Sequence, residues 1–333
     1  MPSCCVVGAT GYVGAHVTRE LLRKGYAVRA TCRNPDKAQW LKDLVPGGDI
    51  ELHAVTMTPE GFPVDSNPLD KIVAGCKGVF MCAGYEKQEP ATIDFMVNAG
   101  QAVLNAAAKY GEPICVVLCS SGGSTNPPGA APDALKNELH TWSDPDAQKA
   151  NKRFSPAAKT LMEIAALKFV GRNQQNQVVD QEKGKTNVRL CIMNPNGILG
   201  PQLQPGEISG NGLPGMARII KGERMSEKIP NDSMSFIHVE DLALLHIACM
   251  EKSTASGRYF GVNRSWHWED IFATIQQQYP AFKMPPKTYE SQNPVTRFNN
   301  ERRDSLGVSL KPLEVIFGDT IKFLIEKGAL ASE

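Results

Sequence analysis

The chain lacks a surplus of charge of either sign: 36 Lys and Arg face 35 Asp and Glu, a formal net of +1. No cationic excess is available to coat a phosphate backbone or an anionic bilayer, so neither nucleic acid nor a membrane surface is expected as a partner. It also lacks long apolar runs, and none approaches the ~18–20 residues that a spanning helix needs. A basic segment and apolar core of the secretory type are missing too, because a glycine motif already begins at Gly8. None of the nine cysteines stands in a Cys-x-x-Cys pair, so no zinc, no other metal and no thioredoxin-type centre is expected. Most of them lie in apolar runs (CCVVG, VFMCAG, ICVVLCS), where a thiol behaves as a small buried hydrophobe. That usage fits a reducing compartment and a cytoplasmic location. Asn231-Asp-Ser and Asn263-Arg-Ser match the glycosylation pattern by chance on this view. Internal repeats and low-complexity segments are absent as well.

With 42% hydrophobic residues the composition is that of a globular protein, which excludes disorder, collagen and coiled coil. A length of 333 residues suits two domains or one large α/β domain. The first 120 residues alternate short buried runs with helical patterns. Strands are expected at Cys4–Gly8, Ala27–Cys32, Ile50–Val55, Val79–Ala83 and Ile114–Cys119. Val13, Val17 and Leu21 mark one helix face closed by Gly25, and Thr92–Lys109 reads as another helix. Buried strands alternating with helices predict an α/β fold, a doubly wound parallel sheet covered on both faces. From Ser121 to Phe154 the pattern stops in a stretch too long for an ordinary connection, which suggests a lid or binding loop. A helix at Pro156–Val170, a strand at Val188–Met193 and helices near 266–278 and 312–327 follow. FIHVEDLALLHIA (236–248) reads as a strand returning to the sheet and then a helix. The expected division is a Rossmann core of 1–194 plus 236–264 and a smaller C-terminal lobe of 195–235 plus 265–333.

Gly8-Ala-Thr10-Gly11-Tyr12-Val13-Gly14 lies where the first strand turns into the first helix. Gly8 permits the tight turn, Gly11 lets a pyrophosphate approach the backbone, and Gly14 allows close helix–strand packing. The helix N-terminus offers free N–H groups and a positive dipole end to phosphates. Sites that prefer NAD carry an acid about 20 residues onward, at the end of the second strand. Here that position reads VRATCR, and Arg33 is suited to a 2′-phosphate, with Lys37 as a weaker candidate. The expected cofactor is NADP(H).

GATGYVG at 8–14, VRATCRNP at 28–35, GCKGVFMCAG at 75–84 and LCSSGG at 118–123 resemble the extended short-chain dehydrogenase/reductase family. So do WSD at 142–144, KTLMEIAALKF at 159–169, NPNGILGP at 194–201, FIHVEDLALLHIA at 236–248 and GRYFGVN at 257–263. Within that family the likeness is to the dihydroflavonol reductase and cinnamoyl-CoA reductase branch. The resemblance implies carbonyl reduction by a Ser, a Tyr and a Lys, the last two spaced i, i+4 on one helix face. It assigns Ser121 to the substrate oxygen, Lys159 to the nicotinamide ribose, and the loop Asn194–Pro201, with Pro195, to the nicotinamide carboxamide. Four residues before Lys159 stands Ser155, and there is no Tyr between Tyr110 and Tyr259. Ser155 is either a replacement donor or, followed by Pro156, the N-cap of the helix, and the cap is the expectation. Tyr85, after the fourth strand, is an alternative donor or a pocket wall. His140 and Trp142 are candidates to close over the ligand, whereas His238 reads as structural and His53, His246 and His267 as ordinary core or surface histidines.

The function expected is an NADPH-dependent reductase of a small, partly apolar molecule, with a carbonyl, iminium or conjugated C=C acceptor and non-standard proton delivery. An NADP(H)-binding sensor without turnover, and an isomerase or lyase, are the other readings. The chain is expected to be a monomer or homodimer.

Overall fold

Runs of Val, Ile, Leu and Cys with no polar alternation are buried on both faces, and they form the parallel sheet that such runs imply. The computed structural model describes residues 1–62, 66–85, 87–209 and 212–331. Along the chain β1 (Ser3–Val7), α1 (Tyr12–Arg23), β2 (Ala27–Cys32), β3 (Ile50–Ala54), α2 (Leu69–Val73) and β4 (Cys76–Met81) come first. Next are α3 (Ala91–Ala108), β5 (Ile114–Cys119), β6 (Leu135–Lys136), α4 (Pro145–Ala150), α5 (Phe154–Phe169) and α6 (Gln181–Gly184). The rest comprises β7 (Val188–Pro195), β8 (Ile198–Leu199), α7 (Leu213–Ile220), β9 (Ser233–His238), α8 (Val239–Glu251) and β10 (Gly257–Gly261). Last are β11 (Arg264–His267), α9 (Trp268–Gln278), β12 (Arg297–Phe298), α10 (Glu301–Asp304) and α11 (Leu313–Glu326).

Seven strands make one sheet in the order β10-β7-β5-β4-β1-β2-β3, with every pair parallel. β1 lies between β2 and β4, so the order reverses there and opens a crevice at the carboxyl ends of the strands. Helices α3 and α5 pack together over one face and α1 with α8 over the other. α1 starts without a side-chain cap, while Val17 and Leu21 on its inner face are fully buried. Each buried side chain contributes about 1.5–3 kcal/mol, more than the ~1 kcal/mol of a cap, so packing holds this helix and leaves its N-terminus free for a ligand.

One expectation is corrected. The strand within FIHVEDL does not return to the large sheet. β9 pairs with β8 and β11 in a separate three-stranded sheet, and β10 is the strand that joins β7. The apolar run at β9 is buried as expected, but against a third core that includes Leu213, Phe236, Phe272 and Phe317. Burial alone does not say which sheet a strand joins. The fourth strand also starts three residues before the expected Val79, because Cys76 already pairs with Ser3.

Candidate active site

The glycine turn hooks onto the end of β2: Gly8 N donates to Thr31 Oγ1 (3.2 Å) and Ala9 N to Thr31 O (3.1 Å). Gly8 has φ +83°, a left-handed conformation open to glycine, and a Cβ there would lie 2.7 Å from the Ala83 backbone. A Cβ on Gly14 would lie 2.2 Å from Gly8 O, so the turn and the helix approach as closely as backbone allows. Thr10 is half-buried within the turn, and Gly11 is the N-cap of α1. The turn thus has the uncrowded, uncapped backbone that a dinucleotide phosphate requires. Arg33 and Lys37 are exposed beyond β2, and among the described residues neither side chain has an ion pair or hydrogen bond.

A cleft of about 750 Å³ lies over the carboxyl ends of β1, β4, β5 and β7. It brings together Gly11, Tyr12, Val13, Ser121, Ser155, Lys159 and Pro195 from the sequence-derived set. A second depression, of about 860 Å³, lies outside on α3 and α5 between side chains such as Val97, Leu161 and Ile164. It has neither the glycine turn nor the Ser–Lys pair, which meet in the sheet-edge cleft instead.

Ser121 caps the short 3₁₀ turn Gly122–Ser124. Its Oγ accepts from Gly123 N (3.0 Å), which leaves the hydroxyl hydrogen for a ligand. Lys159, only 9% exposed, donates from Nζ to Cys119 O (3.0 Å) and keeps two N–H groups in reserve. The expectation that Ser155 caps the helix is corrected. α5 begins at Phe154 with Arg153 as its N-cap, and no side-chain cap is formed. A proline is tolerated anywhere in a first turn, because those N–H groups have no intrahelical partner, so Pro156 lets the helix start earlier. The side chain of Ser155 is therefore free to line the cleft one turn before Lys159.

The two tyrosines nearest the site are engaged elsewhere. Tyr12 donates its hydroxyl to Gly200 O (2.8 Å), and burial holds its pKa well above the ordinary value. Tyr85 donates to Glu89 Oε1 (2.6 Å) with its ring stacked on Phe95 at 5.1 Å, outside the described lining of the cleft. Nor do His140 and Trp142 line it. Instead Trp142 lies under the Arg258 guanidinium at 3.7 Å. Arg258 also donates to Glu138 O and Thr141 O, so one buried cation ties down the long loop that the sequence suggested as a lid.

Sequence reasoning missed two features. Behind the cleft Glu163, fully buried, pairs with Arg258 at 2.8 Å and accepts hydrogen bonds from Ser120, Ser124 and Asn194. An acid inside the apolar face of KTLMEIAALKF was the available signal, since a buried carboxylate needs a cation and donors. The other is Gln88, whose Oε1 accepts from Ser155 N (3.1 Å) at the mouth of the cleft. Nothing but its position in a loop after a strand pointed to it.

Fold and cleft together define a dinucleotide-binding α/β protein. The chain belongs to the NAD dependent epimerase/dehydratase family, whose model matches residues 4–262, and within it to the extended short-chain dehydrogenases/reductases. It is 31% identical to cinnamoyl-CoA reductase CAD2 of Medicago truncatula, over 97% of this chain and 95% of that one. It is also 31% identical to cinnamoyl-CoA reductase 1 of Arabidopsis thaliana, over 98% and 90%. The fold matches vestitone reductase from alfalfa with a TM-score of 0.79 at 23% identity, covering 99% of this chain and 100% of that one. It also matches the yeast methylglyoxal/isovaleraldehyde reductase Gre2, solved with NADPH, with a TM-score of 0.80 at 19% identity over 98% and 100%.

Proposed function

We propose that the chain is an NADPH-dependent reductase of a small, partly apolar substrate, with proton delivery unlike that of its family. The observation that carries this reading is the meeting of Ser121, Ser155 and Lys159 at one end of a cleft whose other end is the glycine turn. The reductase names of the curated relatives support it. NADP(H), when bound, supplies the hydride. The α1 N-terminus with Gly8, Gly11 and Gly14 would hold its phosphates, Arg33 with Lys37 its 2′-phosphate, and Pro195 would border its carboxamide. The two uncommitted N–H groups of Lys159 suit ribose hydroxyls. Ser121 directs its hydroxyl hydrogen to the substrate oxygen.

Ser155 stands where the family carries its tyrosine, and an aliphatic hydroxyl is a far weaker acid than a phenol, whose pKa is about 10. With Tyr12 and Tyr85 committed to Gly200 and Glu89, the proton comes from water or from the substrate. An iminium ion or a conjugated C=C suits such a site better than a simple ketone does. Ser209, Gly212 and Met234 line the same cleft, which supports assigning substrate contacts to the C-terminal lobe.

Oxidation of NADPH upon addition of trans-cinnamaldehyde, which carries both a carbonyl and a conjugated C=C, tests the reading. Substrate-dependent oxidation is expected. Tight NADPH binding with no oxidation across aldehydes, enones and cyclic imines would favour a sensor, and product without net cofactor change an isomerase or lyase.

A further inference from the structure

Gln88 is exposed at the cleft mouth, and its carboxamide is oriented by chemistry rather than by shape. The Ser155 backbone N–H, one of the free donors in the first turn of α5, points at it from 3.1 Å. An N–H donates to oxygen and not to another N–H, so Oε1 must face the helix and Nε2 must face away from it. Gln88 therefore has two N–H groups with no partner among the described residues.

Other polar groups of the lining share this character. Ser121 spends one lone pair on Gly123 N and keeps its O–H to donate, and Lys159 has donors only. Among the described residues lining the cleft there is no Asp, Glu or His, and Lys159 is the one ionised group. Val13, Ile198 and Met234 supply apolar wall beside these donors. Such a site has no carboxylate to repel an anion and several donors that stabilise a negative oxygen.

We propose that Gln88 is a substrate-oxygen ligand, and that beside Ser121, in the field of the Lys159 ammonium, it donates to small apolar molecules that carry a carboxylate or build up an oxyanion. This deepens the reductase reading and rests on it only for the identity of the cleft as the substrate site. Gln88 would then set specificity, and the pinning by Ser155 N is what makes its donors available without a cost in ordering.

The test is titration of trans-cinnamate, an apolar molecule with a permanent carboxylate, into the protein saturated with NADP⁺. The variants are Gln88→Glu and Gln88→Leu. The Glu side chain still accepts from Ser155 N, so the helix start and the melting temperature are kept while both donors are lost and a like charge is added. Wild type is expected to bind. Gln88→Glu should weaken cinnamate by about tenfold or more, and Gln88→Leu by a smaller factor, because a donor to a charged group is lost in each. NADP⁺ affinity should stay within about twofold, because none of the nucleotide contacts assigned above is made by Gln88. Cinnamate affinity within about twofold of wild type in Gln88→Glu, or no cinnamate binding by wild type, would overturn the proposal. Failure of the reductase reading looks different: cinnamate binds and responds to Gln88, yet no aldehyde or enone oxidises NADPH.

Discussion

The two ends of the cleft are made from different materials. At the nucleotide end the recognising groups are backbone: a turn at φ +83°, an uncapped helix start, and a contact so close that a single Cβ on Gly14 would lie 2.2 Å from Gly8 O. At the proposed substrate end they are side chains: Ser121, Lys159 and Gln88, each aimed by a single hydrogen bond to a backbone group, and Ser155 beside them. Glycine spacing reports a backbone site almost directly, since few residues tolerate those angles. A side-chain site is reported only as residue types, and what each atom faces depends on where a helix starts or a loop turns.

Steric damage at the nucleotide end should have the largest effect. Gly14→Ala forces its Cβ into the Gly8 carbonyl, so the turn must open. The expected outcome is loss of measurable NADPH binding with about 1–3 kcal/mol of stability, read by nucleotide titration and thermal melting. Retained binding would mean that the turn is softer than its contacts imply.

A smaller, selective effect is expected at the rim of the same end. Arg33→Ala should weaken NADPH by about tenfold, the low end for a charge-assisted pair because Arg33 is exposed, and leave NADH nearly unchanged. Equal losses for the two nucleotides would remove Arg33 from the 2′-phosphate.

Most of the first half of the fold was legible in the residues. Ala27–Cys32 and Ile114–Cys119 match their strands residue for residue, because fully buried runs bounded by turns leave little freedom. β10 was not expected as a strand. GRYFG carries Arg258, and a charge in a buried strand needs a counter-ion, which Glu163 supplies from α5. For Ser155 the local rules favoured a cap, and proline's indifference within the first turn decided otherwise. Both misses concern long-range partners or a helix boundary moved by two residues, which composition and periodicity do not encode.

Acidity acts on the frame around the cleft rather than on its lining. Burial holds His16, within α1, down to about 3, and His238 and His246 down to about 4. The unfolded chain takes protons on these groups below about pH 6.5 that the folded chain refuses, so stability falls as pH drops from there. On the loop held by Arg258, burial pushes Glu138 up to about 7. Its contribution has the opposite sign, fully present below its unfolded pKa and lost as pH rises through 7. Three groups against one predict a net loss of a few kcal/mol between pH 6.5 and 4.5, measured by denaturant melts across that range. A melting point that rises on acidification would reverse the assignment.

Restoring the phenol tests the central claim, that Ser155 holds the proton-donor position of an otherwise intact reductase site. Ser155→Tyr puts a hydroxyl of ordinary pKa one helical turn before Lys159 in the same cleft. With NADPH binding unchanged, turnover of trans-cinnamaldehyde to the alcohol should rise by about a hundredfold, the low end for a positioned general acid. Unchanged or lower alcohol formation in a variant that folds and binds NADPH as wild type does would contradict the account.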